Sequence, residues 1–310
     1  MSLTLLNVSG KSGPFVYEPE VLAWSASTGI VDPYWLMPMN TAVVSLKIQG
    51  IWSKIIYCNP VAGGTAAAAS IPLKHPLGLP SLIYGSPLVD GMGIKGDGVG
   101  TYINTQMNID PHIPSLYDVH SACYQNLASG FNTPNGFGRL YGGYGVGQNP
   151  NSDGGWASGF CFNGSETNGF IDAPFNLVPF TRLSNNFTGG NNWSGFIIAN
   201  RTAADRVGLS RNGGIVVTNT ANLLSRTPNL SYTMVSNGRT NLWQRPYFWI
   251  ASNNVSNVNW DLGIRTQLDI RYVSLGRFAW FSNGLGLTDS EISAYNSIIQ
   301  TLQTAWSRQV

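Results

Sequence analysis

The sequence predicts a mostly β fold: an antiparallel sandwich or barrel with a short N-terminal helical segment and one C-terminal amphipathic helix. Three observations predict it. Short apolar runs recur between residues 82 and 282, separated by Asn-Gly and Gly-rich turns, as antiparallel strands joined by tight connections require. Residues 288–306 carry a helix-start signature and an apolar stripe at helical spacing. The composition is 43% hydrophobic and 12% aromatic, with 36 Gly and only 10% charged residues in 310. That is a packed, loop-rich chain and not a disordered one.

Taken in order, residues 1–13 read as an exposed arm. Leu36, Met39, Val43 and Leu46 then recur on one helical face, with Pro38 expected in the first turn and Gly50 as the stop. Ile51–Tyr57 reads as a strand, and residues 60–80 as a surface loop. Alternating segments at 101–105, 195–199, 214–217, 231–235 and 268–273, the last continuing toward 278–281, read as strands. The turn signals between them are 96–98, 211–214, 236–238 and 282–284. At the end, Thr288-Asp289-Ser290-Glu291 is a capping box, in which the Thr hydroxyl and Glu carboxylate each cap a backbone amide. Ile292, Tyr295, Ile299, Leu302 and Trp306 follow as a stripe, predicting a helix over 289–306 packed on the sandwich. Two regions result: residues 1–50 as arm and helical segment, and 51–310 as the β domain.

Composition also narrows the chemistry. The net charge is +2, with no run of Lys or Arg, so nucleic acid is not an expected partner. No stretch reaches the ~18 apolar residues of a membrane helix, so membrane insertion is not expected. The N-terminus lacks a signal-peptide pattern, predicting folding in a cytoplasm. Cys58, Cys123 and Cys161 read as buried free thiols, with a 123–161 disulfide as the alternative. Sequons such as Asn163, Asn186 and Asn192 are expected by chance in so Asn-rich a chain.

The search for catalysis finds little. Glu18/Glu20 and Asp289/Glu291 are the close carboxylate pairs, and neither has the spacing of a glycosidase strand. There is no Gly-x-Ser-x-Gly elbow, phosphate loop or dinucleotide fingerprint. Asp110/His112 and Asp118/His120 put a carboxylate and an imidazole on one strand face, a weak metal signal read as structural. No catalytic residue, metal or cofactor is expected, and the charge deficit is read as pointing away from an enzyme. Recognition remains. Trp156 near Asp153, Trp193 near Asn191, and Trp243 sit among Gly, Asn and Ser. There a ring can stack on a sugar while a neighbouring polar group bonds its hydroxyls. The other reading is that these aromatics pack under loops or against a subunit.

Several segments resemble a known family. They are Leu46-Lys47-Ile48-Gln49-Gly50-Ile51-Trp52-Ser53-Lys54 with Tyr57 and Gly63-Gly64-Thr65; Gly96-Asp97-Gly98 with Thr101–Thr105; Arg211-Asn212-Gly213; Ser282-Asn283-Gly284 through Thr288–Glu291; and Arg308-Gln309-Val310. Together they are similar to concanavalin A-like (laminin G-like) jelly-roll structural proteins of tailed bacteriophages. The sequence departs from that pattern at Asn59-Pro60, where Tyr-Pro is usual, and across the Gly-rich 130–169. The resemblance implies a jelly-roll sandwich in a virion protein of the tail, fibre or capsid surface, made in the host bacterial cytoplasm. Its partners would be other virion proteins, copies of itself and a host cell-surface glycan. The alternative is a free carbohydrate-binding adhesin; a polysaccharide depolymerase is less favoured.

Overall fold

The computed structural model describes residues 16–84, 86–95, 102–108, 118–127, 137–145, 156–163, 166–170, 185–186, 194–203, 206–219, 247–252 and 277–310. The expected arm and the strands expected at 231–235 and 268–273 lie outside these residues.

Among the described residues every strand pair is antiparallel, and the strands form two sheets. Helices α1 (Pro19–Thr28), α2 (Pro33–Ile48) and the turns α3 (Ile51–Lys54) and α4 (Ala66–Ala69) lie N-terminal, with β1 (Ile55–Asn59) between the last two. Then come β2 (Leu82–Tyr84), β3 (Leu88–Asp90), β4 (Gly93–Lys95), β5 (Tyr102–Asn108), β6 (Val119–Leu127), β7 (Phe137–Gly145) and β8 (Trp156–Asn163). They are followed by β9 (Glu166–Phe170), β10 (Asn185–Asn186), β11 (Gly195–Ala203), β12 (Arg206–Arg211), β13 (Gly214–Asn219), β14 (Tyr247–Ser252), β15 (Arg277–Gly284) and α5 (Asp289–Ala305). The eight-stranded sheet runs β13-β12-β11-β6-β15-β4-β3, with β1 also on β15; the seven-stranded sheet runs β10-β9-β8-β7-β14-β5-β2. The sheets face each other where β6 and β11 meet β7 and β8.

A helical layer seals the other face of the eight-stranded sheet. Ala122, Tyr124, Phe196, Ile198 and Trp280 share one buried cluster with Val21 and Trp24 of α1, Leu36, Met39 and Val43 of α2, and Ile292, Tyr295, Ile299 and Leu302 of α5. The intervening strand residues Cys123, Ile197 and Phe281 are equally buried, on the face toward the seven-stranded sheet, because strand side chains alternate. The α5 stripe that the spacing predicts is the stripe that is buried. Each such side chain contributes roughly 1.5–3 kcal/mol as an upper estimate. The capping box forms as well: Glu291 N donates to Thr288 Oγ1 (3.3 Å) and Thr288 N to Glu291 Oε2 (2.7 Å).

Several local expectations change. α2 begins at Pro33, because Asp32 caps it by accepting from Tyr34 N (2.9 Å) and Pro33 stands at the first position. Pro38 therefore falls inside the helix, where it has no N–H for the Tyr34 carbonyl four residues back. That carbonyl instead accepts from the Trp306 indole at 3.1 Å. Ile51–Lys54 is a helical turn and not strand, since Gly50 in the left-handed region (φ 71°) turns the chain into it; the strand starts at Ile55. Residues 60–80 are not simply surface loop: Val61, Ala62, Ala69 and Leu73 are buried. The 282–284 turn is instead the buried end of β15, where Asn283 donates to Ser121 Oγ (2.9 Å). At 211–214 the hairpin does form, with Asn212 and Gly213 both at positive φ (49° and 83°).

Gly284 has to be glycine. A Cβ there would lie 1.9 Å from the Lys54 carbonyl oxygen, a backbone atom with nowhere to move. Gly284→Ala is expected to destabilise the protein by about 3 kcal/mol or more. Thr288→Ala, which removes only a cap, is expected to cost about 1 kcal/mol. Chemical denaturation of the two variants should give that ranking.

Candidate functional site

Of the residues singled out for recognition, the structure describes Trp156. Trp156 is not in a loop: it is the first residue of β8, paired with Gly145 at the end of β7. β14 enters the sheet at the same end, with Phe248 opposite Gly143 of β7 and Tyr247 opposite Asn108 of β5. One end of the seven-stranded sheet therefore carries Trp156, the chain entering β14 and the end of β5. Asp153, Asn191, Trp193 and Trp243 lie outside the described residues. In the chain, Asp153 belongs to the β7–β8 connection, Trp243 comes just before β14, and Asn191 and Trp193 come just before β11 of the opposite sheet.

The titratable groups that sequence spacing picked out have architectural partners. Glu18 and Glu20 both accept from Lys47 Nζ, at 2.6 and 2.8 Å. Burial pushes the Glu20 carboxyl up, but Lys47 outweighs it and holds it below its ordinary range. Glu291 behaves alike: burial is outweighed by Lys54 (2.7 Å) and by the Thr288 amide. Asp118 accepts from Gly286 N at 2.8 Å, while His120 Nδ1–H donates to Leu285 O at 2.6 Å. This pair holds the 285–286 turn rather than presenting ligands outward. Burial drives the His120 pKa down to about 4, against the pull of the Leu285 carbonyl, so the imidazole is neutral and its ring lies edge-on to Tyr295. Among the described residues, no three His, Cys, Asp or Glu side chains come together as a metal site would require. Asp110 and His112 lie outside them. Cys58 and Cys123 are buried free thiols, so no 123–161 disulfide forms. Burial raises both, Cys58 to about 12, leaving neither as a nucleophile.

Several of the segments singled out above, far apart in sequence, meet in space. Lys54 bonds Glu291 at the start of α5, its carbonyl accepts from Leu285 N (2.9 Å), and Gly284 packs on that carbonyl. Asn212 Oδ1 accepts from Phe196 N (2.9 Å) and from Gln300 Nε2 of α5 (3.1 Å). Arg308 is fully buried and donates to the carbonyls of Val61 (2.8 Å), Pro60 (3.1 Å) and Ala279 (3.2 Å), under the ring of Trp306 at 4.5 Å. These residues fasten the helical layer to the eight-stranded sheet. The sequence shows the motifs but not what they are for, because their partners are 16 to 248 residues away.

No family model matches the sequence, and no curated protein matches it. Among solved structures the chain is similar to Trypanosoma rangeli sialidase in complex with 2,3-difluorosialic acid, at 11% identity and a TM-score of 0.46, over 87% of this chain and 39% of that one. It is also similar to the binding domain of botulinum neurotoxin serotype D, at 9% identity and a TM-score of 0.49, over 79% of this chain and 51% of that one. The chain thus spans about two fifths of the sialidase and half of the toxin structure. The expectation that the chain is not an enzyme is corrected here: its structural neighbours include sialidases, which are enzymes. The physical reason is that a low overall charge does not exclude a site that needs only two or three carboxylates.

His120 gives the fold a pH dependence. The folded state keeps it neutral, whereas the unfolded chain binds a proton below about pH 6.5. The stability is therefore complete above that pH and is lost as pH falls toward 4, by roughly 3 kcal/mol at the limit. The melting temperature should fall through this window, and His120→Asn, which keeps a donor toward Leu285, should flatten the decline. A wild-type melting temperature constant from pH 6.5 to 4.5 would contradict this.

Proposed function

We propose that the chain is a virion protein of a tailed bacteriophage, displayed on the tail, fibre or capsid surface. Its two sheets form a concanavalin A-like jelly roll that contacts host glycans or neighbouring subunits. The observation that carries the reading is the asymmetry of the layers. α1, α2 and α5 seal one face of the eight-stranded sheet, while among the described residues no helix covers the seven-stranded sheet. The motifs at 46–65, 211–213, 282–291 and 308–310 fasten the sealed side, whereas Tyr102–Thr105 stands in β5 of the seven-stranded sheet.

The layering also supports a division of roles along the chain. The first described residues, Val16 and Tyr17, lie on the helical side, Tyr17 in its buried cluster. The described part of the 1–50 segment, residues 16–50, thus belongs to that side, which suits attachment to a particle. The opposite sheet carries Tyr141, Tyr144, Trp156, Phe160, Phe162, Tyr247 and Trp249 in β7, β8 and β14, an aromatic content suited to stacking on sugar rings.

Mass spectrometry of purified particles of a phage encoding this sequence should detect the chain as a many-copy component. A glycan array probed with the purified protein should give hits that Trp156→Ala weakens by about tenfold or more. Particles lacking the chain would overturn the virion reading, and glycan binding without a place in the particle would instead identify a free adhesin.

A further inference from the structure

His75 bridges the two sheets. The backbone just before it belongs to the β1 side: Cys58 N donates to Lys74 O (3.0 Å), and Leu73 N and Lys74 N donate to Cys58 O (2.9 and 3.2 Å). β1 in turn lies on β15 of the eight-stranded sheet. The half-buried His75 ring reaches the other sheet, its Nε2 lying 2.9 Å from Thr105 O of β5. Its Nδ1 closes a loop: Leu77 N and Leu79 N donate to it at 3.0 and 3.4 Å. Gly78, at φ +63°, completes the turn by donating from its N to His75 O (3.1 Å). One imidazole therefore holds residues 76–79 closed and ties them to β5.

These partners fix the state of the ring. A carbonyl oxygen only accepts, so Nε2 carries the hydrogen; backbone N–H groups only donate, so Nδ1 is bare. The closed loop thus requires the neutral Nε2–H tautomer. A proton added at Nδ1 would set one N–H against two others and remove their acceptor. The surroundings offer an imidazolium no counter-charge, since β1, residues 76–84 and β5 contain no Asp or Glu. Among the described residues, the titratable groups beside the ring are Tyr57 and Lys74. Tyr57 of β1 meets it edge-on at 5.8 Å, shares a hydrogen bond with Ser81 Oγ (2.9 Å) and is kept neutral by burial. Lys74 is a cation over the Trp52 ring (4.9 Å), with Nζ donating to Trp52 O (2.7 Å).

We infer that His75 is an acid-opened clasp, which holds residues 76–79 against the seven-stranded sheet at neutral pH and releases them when Nδ1 takes a proton. Linkage sets the response. The closed loop excludes the proton, while the open loop binds it with the ordinary imidazole pKa of about 6.5. The ratio of open to closed loop is therefore level above that pH and rises about tenfold for each unit below it. The release is local. Ser81 stays fixed by its N–H bond to Ser70 O (2.7 Å) and by the Tyr57 hydroxyl, and β2 stays paired with β5. His75 thus differs from His120, whose neutral state supports the whole fold.

Hydrogen exchange of the full chain at about pH 7.5 and 5.5, with rates corrected for the intrinsic pH dependence of amide exchange, tests the clasp. Protection of the Leu77 and Leu79 amides should fall about tenfold in the wild type between the two. In His75→Asn, whose Oδ1 can accept from the same amides and does not titrate, protection should stay level. His120 is present in both proteins, so its effect on global stability cancels in the comparison, and protected α5 amides show that the variant folds. Ring-nitrogen NMR of the wild type at about pH 7.5 checks the same point without a substitution: His75 should be the Nε2–H tautomer. Equal wild-type protection at the two pH values, an equal fall in His75→Asn, or an Nδ1–H tautomer at His75 would each overturn the proposal.

Discussion

Arg308 is the point on which the sealed half of the molecule depends. A buried guanidinium needs hydrogen-bond partners, and here its two terminal nitrogens donate to carbonyls from two separate stretches of chain, the 60–61 turn after β1 and Ala279 of β15, while Nε is buried without one. Burial pulls its pKa down to about 9, so it is still charged at neutral pH and must be placed correctly. The turn that receives it is itself unusual. Val61 has φ +45°, a costly conformation for a β-branched residue, held by Asn59 Oδ1 accepting from Val61 N (2.8 Å). Trp35 and Trp306 then cover the cation, at 5.7 and 4.5 Å. Helix α2, the turn after β1, β15 and the C-terminal tail are thereby fixed in one arrangement.

The same region explains Pro38. A proline inside α2 leaves the Tyr34 carbonyl without its helical donor, and Trp306 supplies one. What reads in one dimension as a helix defect is, in three, the acceptor for the C-terminal anchor. Tyr124 of β6 extends the fastening by accepting from Val310 N at 3.1 Å.

How much could be read in advance follows from this. α5 was legible because its cap, stripe and length are local signals. The strands β5, β11, β13 and β15 were legible from alternation, and the 211–214 hairpin from turn chemistry. Helix α1 was missed although Pro19 at its first turn and Gly29 in the left-handed region after it mark both ends; the close carboxylates Glu18 and Glu20 drew attention to chemistry instead. Asn283-Gly284 misled because its composition favours a turn, while Ser121 and Lys54, distant in sequence, make it a buried strand end. For the candidate site, Trp156 was found as a residue but placed in a loop, since the Gly-rich β7 that pairs with it carries no alternation to see. Charge content spoke to the surface at large and could not exclude catalysis, which depends on a few groups in one place.

These parts give a molecule with two unlike sides: a helical side fastened by long-range polar contacts around a buried cation, and a seven-stranded sheet that no helix covers among the described residues. The most direct measurement is native-state hydrogen exchange of the wild type and Arg308→Ala. If Arg308 holds the sealed side as one unit, amides of α1, α2, β1 and β15 lose protection together in the variant, while those of β7 and β8 keep theirs. Loss confined to residues 306–310, with α2 and β15 still protected, would contradict the account.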